Sequence, residues 1–249
     1  MANVAVLIDA DNFQRPEWVS IALREASALG VIALKRVYGN FHLNYEKWMD
    51  LCAKHAIEPI QQFPNTKGKN ASDIALVIDA MDLLHSKRYD SFCILSSDSD
   101  FSRLAIRIRQ NGHEVLGFGE QKTPNAFVNA CSKFVYIEFL TLEDDSLQVV
   151  NDKESTKNKE VVKQFLTPDK KLRATFKKAI DASCDDDGWA DLGGIGNLIT
   201  KWFPDFDPRN YGVKKLSELI NKTGWFEFKA AQRGKHGPMI KLKLNASTS

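Results

Sequence analysis

Two short acidic clusters carry the strongest chemical signal in the chain. One is Asp9-Ala10-Asp11-Asn12, after the apolar run Val4 to Ile8. The other is Ser96-Ser97-Asp98-Ser99-Asp100-Phe101, after Phe92 to Leu95. Carboxylates brought together repel one another unless they take up protons or a cation, and an all-oxygen donor set of this kind suits Mg²⁺ or Mn²⁺. A third acid, Asp73, follows Gly68-Lys69-Asn70-Ala71-Ser72 and opens a helical pattern whose core face is expected to be Ile74, Val77, Ile78 and Met81. Asp79 and Asp82 come six and nine residues later, roughly on the opposite face, so Asp73 is the acid of this helix expected to face the clusters. Each acid also has a simpler use. Asp9 suits a strand-end turn, Asp98 or a neighbouring serine suits a helix N-cap, and Asp73 suits the positive end of a helix dipole. Ser-Ser-Asp-Ser-Asp supplies more oxygen than one cap needs, and the coincidence of three acidic elements favours a metal site.

Strands are expected at Val4 to Asp9, Val31 to Tyr38, Glu58 to Phe63, Phe92 to Ser97, Glu114 to Gly119 and Phe134 to Phe139. Helical patterns fall between them, at about 16–29, 43–55, 71–86, 101–111 and 124–131. Strict alternation of helices with nearly all-apolar strands indicates a parallel sheet covered on both faces, a three-layer Rossmannoid α/β domain over residues 1–143. In such a sheet ligands bind beyond the carboxyl ends of the strands, near the point where the strand order reverses. The two clusters can therefore converge across about 90 residues of chain.

Residues 144–167 are highly charged, with little to bury, and read as a linker. From 168 to 249 the pattern becomes three short helices followed by two alternating strands, with a basic hairpin tip at Ala231 to Pro238. That is a small winged-helix-like α+β domain. Charge divides accordingly: residues 1–143 hold 15 Lys/Arg against 17 Asp/Glu, whereas residues 168–249 hold 15 against 10. The basic end suggests a nucleic-acid partner.

In 249 residues no run approaches the about 18 apolar residues of a membrane span, and no basic segment precedes the first apolar stretch, so neither insertion nor secretion is expected. Cys52, Cys93, Cys131 and Cys184 form no C-x-x-C pair, and four inert buried thiols in a reducing cytoplasm are expected. The five histidines are scattered, without zinc spacing.

The D-x-D-N after the first strand, the K-x-x-x-D ending at Asp73 and the S-D-x-D-F after the fourth strand together resemble the NYN domain, a branch of the PIN-like nucleases, in its LabA-like group. The resemblance covers about residues 3 to 140. It implies an Mg²⁺ or Mn²⁺ site that hydrolyses RNA phosphodiester bonds. Asp9, Asp73, Asp98 and Asp100 match the metal-binding catalytic acids, and Asn12 matches the polar residue that orients water or phosphate. Asp11 falls where the family pattern varies. Cations must hold the RNA backbone; Lys67, Lys69 and Arg103 are the candidates here, against solvated loop charges for the lysines and an ion pair for Arg103.

The segment Gly188-Trp-Ala-Asp-Leu-Gly-Gly-Ile, with Tyr211-Gly-Val-Lys-Lys-Leu and Gly224-Trp-Phe-Glu-Phe further on, resembles the OST-HTH domain, also called LOTUS, over about 168 to 244. It implies binding of single-stranded or structured RNA, or of a protein partner. Lys229, Arg233 and Lys235 on the hairpin are its candidate phosphate contacts, against a merely solvated basic face. A homodimer is left open.

Two other readings stand beside the ribonuclease. One is a catalytically silent RNA-binding or regulatory adaptor. The other is a haloacid dehalogenase-like phosphatase, whose D-x-D usually continues with Thr or Val where Phe13 stands. Gly117-Phe118-Gly119 lacks the third glycine of a dinucleotide fingerprint, and no G-x-S-x-G is present.

Overall fold

Val4, Ala5, Val6, Leu7 and Ile8 are all fully buried, although alternate residues of a strand face opposite sides of its sheet. Such a strand must be covered on both faces. It is the third strand across a six-stranded parallel sheet of order β3-β2-β1-β4-β5-β6. The strands are β1 (Asn3–Asp9), β2 (Val31–Gly39), β3 (Glu58–Gln61), β4 (Ser91–Leu95), β5 (Glu114–Gly119) and β6 (Lys133–Tyr136). The helices are α1 (Val19–Ala26), α2 (Tyr45–His55), α3 (Ala71–His85), α4 (Ser102–Gln110), α5 (Asn125–Ala130) and α6 (Ile137–Thr141), with short 3₁₀ turns at Pro16–Trp18 and Ser99–Phe101. The order reverses between β1 and β4, so the switch point lies between the two strands that end in the acidic clusters.

The computed structural model describes residues 1–13, 15–41, 45–63, 70–141, 167–234 and 237–244, with the backbone alone from 228 onward. It divides into two units, Met1–Asp144 and Asp145–Ser249. Most of the expected linker, with Lys67, Lys69 and Lys235, lies outside the described residues.

Helix α3 corrects one expectation. Its inward face is Ser72, Leu76, Ala80, Leu83 and Leu84, whereas Ile74 and Ile78 are exposed. An ion pair explains the rotation: both oxygens of Asp79 lie 2.7 Å from Arg36 Nη1 on β2, and the Tyr38 hydroxyl donates to the same carboxylate. Asp79 thus turns toward the sheet and clamps α3 over β2, while Arg36 Nε holds Glu58 of β3 at 2.6 Å. The sixth strand is shorter than expected, because Ile137–Thr141 is helical rather than extended. Gly119 is required by close approach: a Cβ there would lie 2.7 Å from the Ser96 carbonyl oxygen and 2.6 Å from Thr123 Oγ1.

The second unit has its own core of Leu172, Phe176, Ala179, Ile180, Ala190, Ile195, Ile199, Leu219, Ile220 and Phe226. Helices α7 (Lys170–Asp181), α8 (Leu192–Trp202) and α9 (Leu216–Thr223) pack with a three-stranded antiparallel sheet, order β7-β9-β8. Asp169 and Asp191 cap α7 and α8 through backbone N–H groups 2.7 Å away. Its strands are β7 (Ala190–Asp191), absent from the sequence reading, β8 (Phe226–Gly234) and β9 (Gly237–Leu244). The hairpin strands run further than expected, through Ala231 to Gly234, which leaves a much shorter tip.

Cys52, Cys93 and Cys131 are buried in the first unit; Cys184, in the second, is exposed, contrary to expectation. Burial raises all three buried thiols above their ordinary range, Cys131 to about 12.

Candidate metal centre

Asp9 is the last residue of β1 and is almost completely buried. Its Oδ1 accepts from the backbone N–H groups of Asp11 at 3.1 Å and Asn12 at 3.2 Å, the strand-end turn foreseen as its simpler use. Its Oδ2 accepts from Ser96 Oγ at 2.7 Å. Ser96 lies just past β4, fully buried, and also accepts from the Asp98 N–H at 3.0 Å. One hydroxyl therefore ties the two acidic clusters together. Burial raises the Asp9 pKa, against the lowering effect of the hydrogen bonds from Ser96 and Asn12.

Asp98 caps the 3₁₀ turn, its Oδ1 accepting from the Asp100 N–H at 2.9 Å, while Asn12 Nδ2 reaches its Oδ2 at 3.4 Å. Asn12 thus steadies a carboxylate across the switch point. Asn70 stands at the N-cap of α3 without capping it, and its amide donates to Asp100 Oδ2 at 3.4 Å. Asp11 has a bracing role: Ser72 Oγ donates to its Oδ2, and the Asn40 N–H lies 3.2 Å from its Oδ1. It joins the ends of β1 and β2 to the first turn of α3, the turn that carries Asp73.

Asp73 is the most strained electrostatically. Its pKa is pushed up to about 6, first by burial and then by the charges of Asp9, Asp98, Asp11 and Asp100. Its Oδ1 is buried with no hydrogen-bond partner. The structure therefore gathers Asp9, Asp73, Asp98, Asp100 and Asn12 at one end of the sheet. Arg103 is exposed in the first turn of α4, three residues beyond Asp100.

Sequence reasoning did not single out Ser96, Ser72, Asn70 or Asn40 for these roles. The one available signal was the Ser96-Ser97 pair at the end of an otherwise apolar strand, where a buried hydroxyl needs a partner. Ser96→Ala should leave Asp9 Oδ2 without its donor inside the core. We expect a stability loss of about 1–3 kcal/mol, read by chemical denaturation, with Ser96→Thr recovering most of it if the methyl fits.

Among the described residues no three acids, histidines or cysteines are already closed into a set that would hold an ion. The residues nevertheless fit a divalent cation. All donors are hard oxygens, Asp73 keeps a bare buried oxygen, and it bears the repulsion of four carboxylates.

A parallel sheet of this order with acids at its switch point defines a PIN-like α/β domain, and the family comparison agrees. The NYN domain model matches residues 3–138, and the chain belongs to that family. The OST-HTH/LOTUS domain model matches residues 163–238, immediately after it. Among solved structures, the chain is similar to a protein of unknown function from Vibrio parahaemolyticus at 17% identity, over 58% of this chain and 94% of that one, with a TM-score of 0.45. It is also similar to an uncharacterized protein from Nitrosomonas europaea at 40% identity, over 29% of this chain and 71% of that one, with a TM-score of 0.27. No curated protein matches. Among the described residues, no helix is long and apolar enough to cross a membrane. The pairing of the two domains supports a nuclease with an RNA-binding module.

Proposed function

We propose that the chain is a metal-dependent ribonuclease, with Asp9, Asp73, Asp98 and Asp100 holding Mg²⁺ or Mn²⁺ and the C-terminal domain binding RNA. The observation that carries this reading is the bare buried oxygen of Asp73 among four other carboxylates. A cation there would polarise the scissile phosphoryl oxygen and acidify a water for in-line attack. The protein's own contribution is positional. Ser96 fixes Asp9, Asn12 and the Asp100 N–H fix Asp98, Asn70 steadies Asp100, and Asp11 anchors the turn carrying Asp73. Asn12, at the mouth of β1, would also orient water or phosphate, and Arg103 would meet the RNA backbone. The remaining candidate cations, Lys67, Lys69, Lys229, Arg233 and Lys235, would complete the backbone contacts of the two domains.

The deciding experiment incubates end-labelled single-stranded and hairpin RNA with the full chain in Mg²⁺, Mn²⁺ or EDTA. Cleavage in either metal and none in EDTA is expected. Cleavage that survives EDTA, or is unchanged in Asp98→Asn, would overturn the metal mechanism. RNA binding without cleavage in any metal would favour a silent adaptor.

A further inference from the structure

Phenylalanines of the first unit are core residues: Phe13, Phe41, Phe92, Phe101, Phe118, Phe127, Phe134 and Phe139 are all buried. Phe63 departs from this at 69% exposed, and Tyr45 is 61% exposed. Both rings sit at the carboxyl end of the sheet. Tyr45 opens α2, the helix that follows β2, and Phe63 comes two residues after β3. They therefore share the end that carries the acids, on the β2–β3 flank. Adjacent strands lie about 4.8 Å apart, so the mouth of β3 stands roughly 10 Å from that of β1.

Hydrogen bonds connect this flank to the acids. Asp11 Oδ1 receives the Asn40 N–H at 3.2 Å, Asn40 Oδ1 receives Gln61 Nε2 at 3.0 Å, and Gln61 Oε1 receives the Phe41 N–H at 3.2 Å. Beneath, Phe41 packs on Trp48 of α2 with ring centroids 6.2 Å apart, and both are buried. The support is thus part of the folded core, and the two outer aromatic residues remain largely exposed. Exposed aromatic rings beside a phosphodiester site suit unpaired bases, because every base has a π-face to stack and a duplex keeps its own bases stacked inside.

We propose that Tyr45 and Phe63 form a base-stacking subsite that holds single-stranded nucleic acid beside the acid cluster, with Arg103 on the opposite flank. This rests on the ribonuclease reading and specifies its substrate as single-stranded at this position.

The test uses the full-length chain carrying Asp98→Asn, to suppress cleavage, and a labelled single-stranded RNA hexamer. It is paired with an abasic hexamer and a short duplex. Phe63→Ala and Tyr45→Ala should each weaken hexamer binding about ten-fold, as expected for one lost base–ring stack. The slope of affinity against salt should stay unchanged, since no phosphate contact is removed. Phe63→Trp should restore binding, and its added indole emission should be quenched by the hexamer but not by the abasic strand. Wild-type affinity in both alanine variants, or equal quenching by the abasic strand, would overturn the proposal. So would unchanged binding with an altered sedimentation mass, which would assign the rings to a protein contact. If the parent chain neither binds nor cuts any strand, both readings fall; if it does both independently of the rings, this one alone falls.

Discussion

Asp73→Asn is expected to lower the RNA cleavage rate on the order of a hundred-fold, the scale of losing one preorganised electrostatic group, while making the metal-free protein more stable. The two effects share one cause. The folded-state pKa of Asp73 is about 6, against an ordinary value of 3.8, so folding disfavours the charged carboxylate. The unfolded chain binds fewer protons than the native one between those values, and the contribution of this group to stability falls as pH rises from about 4 to about 6. Below that window the penalty is absent; above it the penalty is complete. After allowance for solvent screening of a partly exposed group it is on the order of 1 kcal/mol. Asn removes it, so the melting temperature at pH 7 in EDTA should rise by about 2–4 °C. Mg²⁺ or Mn²⁺ should raise the melting temperature of the parent chain by mass action and raise that of the variant less. Metal affinity of the parent chain, read by titration into the metal-free protein, should strengthen as pH passes through about 6, where Asp73 of the metal-free chain acquires its charge. A substantial fall in melting temperature on substitution would instead assign Asp73 to stabilising the start of α3.

Removing the second unit is expected to produce the other large change. A chain ending at Asp144 loses the segment 168–249, which holds 15 Lys/Arg against 10 Asp/Glu, and retains a unit in which acids outnumber bases. It should keep metal-dependent cleavage of short single strands and bind long or structured RNA far more weakly. Affinity of the full chain should fall with salt by roughly 0.7 log units per log salt for each single-strand phosphate neutralised, and the shortened chain should give a shallower slope. Replacing Arg233 together with Lys235 by Ala should reproduce part of that change. Identical slopes for the two lengths would make the C-terminal domain a protein-docking module.

The strands and acids were legible because their signals are local. Glu114 to Gly119 is strand in both readings, and the Asp-x-Asp-Asn and Ser-Asp-x-Asp-Phe turns need no knowledge of distant neighbours. What escaped depends on contacts far apart in sequence. The rotation of α3 is decided by Arg36 and Tyr38, some 40 residues before Asp79, and a helix with apolar residues on several faces offers no period that could choose between Ile74 and Leu76. The bond from Ser96 to Asp9 spans 87 residues. The simpler uses of Asp9 and Asp98 also prove real, and they are compatible with the site: the turn and the cap are what hold these carboxylates at the strand mouths.

The cysteines have a practical consequence. Three of the four are buried in the unit that carries the acids, with thiols held protonated, and only Cys184 is exposed. A maleimide dye should therefore label the native chain at one place, without mutagenesis, because alkylation requires an accessible thiolate. That dye would sit in the OST-HTH/LOTUS domain just after α7, beside Asp185, Asp186 and Asp187 and far in sequence from the strand-end acids of the first unit. Its emission would give a built-in reporter for RNA arriving at the second domain, leaving every carboxylate of the first untouched.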